Sequence, residues 1–114
     1  MIELRLTEEQ ANIVSSACEF YARILMGQFQ EIPRICLGTQ LLCNHKEIQD
    51  AWLNLRSYIY HDLGGPGHSY GIGKFPQADK AYDVHQVIRY TMGGKEPFSY
   101  YKLPECRKVG DTDD

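Results

Sequence analysis

A chain of 114 residues with 43% hydrophobic and 24% charged side chains fits one ordinary globular domain, with a modest core that association between copies would enlarge. A net charge of −3 argues against a general coat for DNA or RNA, and no apolar run approaches the ~20 residues of a membrane span. Cys18, Cys36, Cys43 and Cys106 show no CxxC spacing, and no secretory signal stands at the N-terminus, so reduced thiols in a cytosolic protein are expected.

Residues Ile2 to Leu6 alternate apolar and charged, the period-two pattern of a half-buried strand. Thr7 and Gln10 stand at capping-box spacing, which starts a helix at Glu8. Ala11, Val14, Ala17, Cys18, Tyr21, Ile24, Leu25 and Phe29 then give a helical stripe to about Phe29. The other face carries Asn12, Ser16, Glu19, Arg23 and Gly27. Glu19 and Arg23 are spaced for an ion pair, while Arg23 could instead meet a ligand, and Gly27 permits close approach by another chain or a ligand. Ile32, Pro33 and the following residues to Gly38 read as a connection or a short extended piece. Asn44 and Glu47 mark a second helix start, with Ile48, Trp52, Leu55 and Ile59 as its stripe and Trp52 as a core anchor.

Next comes a glycine-rich loop, Gly64 to Lys74, that contains Gly67, His68, Ser69, Tyr70 and Gly71 and lacks both GxxxxGK[ST] and GxGxxG. It reads either as a surface loop or as a close backbone wall for an anionic, ring-bearing ligand. A helix follows from Pro76 through Met92. Ala81, Val84, Val87, Ile88 and Met92 form its buried stripe, and Ala78, Tyr82, His85 and Arg89 share one flank. That flank could stack on a base and grip a phosphate; alternatively, Tyr82 and His85 pack and Arg89 serves the helix C-terminus. Gly93-Gly94 ends the helix. Phe98 to Val109 looks extended and suited to pair with the N-terminal strand, with Pro104 confining it to an edge. Residues 64–110 carry seven basic and four acidic groups, against five and eight in residues 1–63, so a local positive field precedes the acidic tail 111–114. The expected fold is α+β: an N-terminal strand, a long first helix, two further helices and a small antiparallel sheet with the C-terminal strand, as one domain over residues 1–110.

Chemical signatures are weak. Cys36, Cys43 and His45 match no strong zinc pattern. Asp79 and Asp83 at i, i+4 read as solvated charge on a surface helix. His61, His68 and His85 could serve as acid and base in a phosphodiesterase, with nothing fixing their geometry.

IELRLTEEQ, EFYARILMGQF, SYGIG and AYDVHQVIRY resemble the phage Thoeris anti-defence 1 proteins over most of residues 1–92. The resemblance implies a phage protein, without enzymatic activity or cofactor, that binds glycocyclic ADP-ribose in the host bacterial cytoplasm. It would sequester the signal intact and so block Thoeris defence; some members also bind cyclic oligonucleotides. It further implies homodimers, in some members hexamers, with pockets near the subunit interface. Arg23 and Arg89 would be phosphate-binding arginines, with the SYGIG loop closing over the ligand. Two other readings stay open: the small cyclic-nucleotide phosphodiesterase, and a module that binds a host protein through its tyrosines.

Overall fold

The computed structural model describes residues 1–38 and 45–110; Cys43, Asn44 and the acidic tail lie outside the described residues. Four helices make up the regular structure: α1 (Glu8–Leu25), α2 (Glu31–Leu37), α3 (His45–Ile59) and α4 (Pro76–Thr91). No strand occurs among the described residues, so the fold is all-α and the expected α+β class is wrong. Residues 2–6 keep the alternating pattern without a ladder partner, leaving Ile2 94% and Leu4 72% exposed. The C-terminal segment is irregular because α4 side chains take up its backbone groups. The Gln86 amide donates to the Phe98 carbonyl at 2.8 Å and accepts from the Phe98 N–H at 2.9 Å. Pro97 and Pro104, which cannot donate to a ladder, bracket this piece.

Local chemistry sets the helix ends. Thr7 Oγ1 accepts from the Gln10 N–H at 3.1 Å and Gln10 Oε1 accepts from the Thr7 N–H at 3.0 Å, closing the expected capping box. α1 stops four residues short of Phe29. Gly27 adopts φ 86°, a left-handed conformation that side chains disfavour, and the Gln28 N–H turns back to the Arg23 carbonyl at 2.9 Å. The close approach that Gly27 permits is made by this chain, since a Cβ there would collide with Leu63. The Ile32–Gly38 stretch is helical rather than extended. Pro33 is the third residue of α2, within the first turn, where a missing N–H removes no intrahelical bond.

Two compact units divide the chain: Met1–Ala22 with Pro76–Asp114, and Arg23–Phe75. In the first, Ala78, Val87 and Ile88 are buried, as are the polar side chains of Ser15, Asp79, Asp83, His85 and Gln86. α4 thus buries a polar face beside Val87 and Ile88, because that face secures the C-terminal segment; Ala81, Val84 and Met92 of the expected stripe are only half-buried. In the second unit the organising group is Arg56, 1% exposed. Its Nη1 donates to the carbonyls of Gly27 at 3.2 Å and His68 at 2.7 Å, and its Nη2 to those of Gly64 at 2.8 Å and Gly65 at 2.7 Å. Its guanidinium carbon lies 5.5 Å from the centre of the Trp52 ring. Phe29, Tyr60, Tyr70 and Phe75 add edge-to-face and tilted ring contacts with centroids 5.3 to 6.2 Å apart.

Arg56→Met keeps an apolar stem and strips the donors from four carbonyls. The expected loss is roughly 3 kcal/mol or more of unfolding free energy, read from urea denaturation. A loss below about 1 kcal/mol would show that solvent readily replaces the guanidinium.

Candidate functional site

Within the first unit α1 and α4 border an open groove of about 460 Å³, lined by Asn12, Ser15, Ser16, His85, Arg89, Met92, Gly93 and Gly94. Helical spacing builds both walls. Asn12, Ser15 and Ser16 fall at i, i+3, i+4 on α1, and His85 and Arg89 are one turn apart on α4. Arg89 supplies a guanidinium, and no carboxylate is among the lining residues. Its Nε is buried and has no hydrogen-bond partner among the described residues. A buried guanidinium nitrogen left unpaired is costly, and an anion entering the groove would relieve that cost.

Gly93 and Gly94 hold Arg89 in this position. Gly93 has φ 95°, and the Gly94 N–H donates to the Arg89 carbonyl at 2.9 Å. A Cβ on Gly94 would lie 2.6 Å from Arg89 Cγ. Deeper in the groove, Ser15 Oγ is 2.8 Å from His85 Nδ1 and 3.2 Å from the His85 carbonyl, while Glu19 Oε2 is 3.5 Å from His85 Nε2. The Tyr82 ring centre is 5.2 Å from that of His85. The expected Tyr82–His85–Arg89 flank therefore exists, with His85 and Arg89 facing the groove. Asn12, Ser15, Ser16, Met92, Gly93 and Gly94 were not expected as ligand residues, and Ser15 was not singled out at all. It stands at stripe spacing between Ala11 and Cys18, where a hydroxyl interrupts an apolar face.

The remaining candidates belong to the second unit. Arg23 donates to Gln28 Oε1 at 2.8 Å and lies 3.8 Å from the buried Glu31 carboxylate. Carbonyls of the glycine-rich loop point to Arg56, while the N–H groups of His68, Tyr70 and Lys74 donate to the carbonyls of Gly65, Met26 and Gly71. Gly67, His68, Ser69 and Gly71 are exposed. Lys74 Nζ sits 5.3 Å from the centre of the Tyr70 ring. The Tyr70 hydroxyl donates to Asp62, which pushes the phenol up to about 12 and holds the Asp62 carboxyl below its ordinary value. The loop carbonyls of Gly64, Gly65 and His68 are thus committed to the protein's own arginine.

Asp79 and Asp83 are buried, at 5% and 4% exposure, and not solvated as their spacing suggested. The Ser99 hydroxyl donates to Asp83 Oδ2 at 2.6 Å. Burial raises the Asp83 carboxyl above its ordinary value and the charge of Asp79 adds to this, against the lowering effect of the Ser99 bond. Among the described residues no three His, Cys, Asp or Glu side chains gather as a metal site. No helix among them is long and apolar enough to cross a membrane.

Comparison with protein-family models, curated proteins and solved structures finds no match.

The raised Asp83 value has a definite sign in stability. The folded state holds this proton more tightly than the unfolded chain, so the contribution of Asp83 declines as pH rises from the ordinary carboxylate value through the raised one. Urea midpoints of wild type and Asp83→Asn, compared at about pH 4 and about pH 7, should show wild type losing ground to the variant at the higher pH. A pH-independent difference would contradict the assignment.

Proposed function

We propose that the protein is a non-enzymatic sponge, encoded by phage and acting as a homo-oligomer in the host bacterial cytoplasm. It binds a cyclic nucleotide immune signal, glycocyclic ADP-ribose or a related cyclic oligonucleotide, and so blocks Thoeris-type defence. The observation that carries this reading is the buried, unpartnered Nε of Arg89 in a groove whose lining residues include no carboxylate. A phosphate suits that nitrogen, the hydroxyls of Ser15 and Ser16 and the amide of Asn12. The Tyr82 and His85 rings lie beside it, where an adenine would find a flat neighbour. The segments SYGIG and AYDVHQVIRY support the ligand class by resemblance; the all-α fold departs from the α+β architecture expected from the sequence.

A hydrolase is the second reading, favoured by the Ser15–His85–Glu19 series of contacts, a hydroxyl beside an imidazole beside a carboxylate. The 7% exposure of Ser15 and its contact with the His85 carbonyl favour helix–helix packing over nucleophilic attack.

One incubation separates the two readings. Protein mixed with glycocyclic ADP-ribose and then heat-denatured should release the ligand intact and in stoichiometric amount. Cleaved product from substoichiometric protein would establish the hydrolase instead. Arg89→Ala should weaken binding by about 2–4 kcal/mol, or at least ~30-fold in Kd by calorimetric titration. Unchanged affinity would remove the groove from the proposal.

A further inference from the structure

Residues 2–6 are symmetric about Leu4 in their apolar and charged positions, with the two charges opposite in sign. Reversal about Leu4 exchanges Ile2 with Leu6 and Glu3 with Arg5, and leaves Leu4 in place. In the folded chain this segment precedes α1 without any regular structure, and no backbone hydrogen bond joins residues 1–6 to another described residue. Ile2, Leu4 and Leu6 are 94%, 72% and 36% exposed, and Glu3 and Arg5 are exposed as well. A segment of alternating apolar and charged residues whose N–H and C=O groups have no backbone partner among the described residues is a template for another chain.

We infer that two copies of this protein associate by antiparallel pairing of residues 2–6 about a twofold axis at Leu4. In that register Leu4 faces Leu4 of the second copy, Ile2 faces Leu6, and Glu3 faces Arg5 in both directions. A twofold interface requires this reciprocity, and few sequences of this length offer it with opposite charges in register. Directly opposed side chains in an antiparallel pair have Cβ atoms roughly 4.5–5.5 Å apart, close enough for both charge pairs to form. The period of two places Ile2, Leu4 and Leu6 of both copies on one face and all four charges on the other. Ile13 and Val109 are further exposed apolar side chains of the same unit, at 61% and 52% exposure. The charges identify the occupant. An unrelated apolar partner would leave Glu3 and Arg5 without counterparts, whereas a second copy supplies both. Each chain stays all-helical, and the paired segments form only between copies.

Sedimentation equilibrium on the ligand-free full chain tests this independently of what the groove binds. Wild type is expected at twice the 13.1 kDa chain mass. Glu3→Arg sets like charges opposite each other twice and should raise the dimer dissociation constant about tenfold or more. Glu3→Arg combined with Arg5→Glu restores opposite charges in the same register and should return the wild-type constant. Helical circular dichroism, which residues 1–6 do not contribute to, confirms that each variant is folded. A monomeric wild type, a dimer indifferent to Glu3→Arg, or a double variant as weak as the single one would each overturn the inference.

Discussion

The second unit depends on one buried cation. Arg56 carries its charge into the interior without a carboxylate among its hydrogen-bond acceptors; four backbone carbonyls take that place. Burial of a guanidinium is tolerable only when its donors are met, and carbonyls meet them only if the chain brings them to one point. That requirement explains why residues 64–68 follow a tight, glycine-rich path and why the chain turns at Gly27, just past the end of α1. Loop and helix end are shaped by the same side chain. A lysine could not reproduce this, because one ammonium cannot present the planar fork that two nitrogens use here.

The first unit solves a different problem. α4 must bury Val87 and Ile88 and also secure an irregular segment that joins no sheet among the described residues. It does so with Gln86, Asp83 and neighbouring polar groups on a buried face, and the same helix ends in the paired glycines that hold Arg89 in the groove. The anchoring of the C-terminal segment and the groove wall of His85 and Arg89 therefore fall on one 16-residue helix.

Legibility in the sequence followed the range of the interactions. The capping box of α1 and the start of α4 at Pro76 rest on contacts within a turn, and residues 7, 10 and 76 announce them. The Tyr82–His85–Arg89 flank was legible for the same reason, since helical spacing alone places those residues together. The sheet was misread because alternation in residues 2–6 signals extended backbone and carries no information about whether a partner exists in the same chain. Asp83 was misread because its surroundings include Ser99, sixteen residues away, and helical periodicity does not extend that far. Pro33 was taken as a breaker although its place in a first turn is harmless. The glycine-rich loop drew attention for a sound reason, close approach of backbone to a charged group; that group proves to be the chain's own Arg56.

The paired bonds between Gln86 and Phe98 give the C-terminal segment an anchor of a particular kind. A carboxamide offers a donor and an acceptor side by side, as one residue of a neighbouring strand would, so α4 presents a single rung of a ladder to a segment that is irregular among the described residues. The rung carries no ionisable group. The nearby Ser99–Asp83 contact can gain or lose a proton while the position of Phe98 along the helix stays fixed. Acidification would thus change the charge beneath the segment without releasing its alignment, which separates the segment's electrostatics from its register.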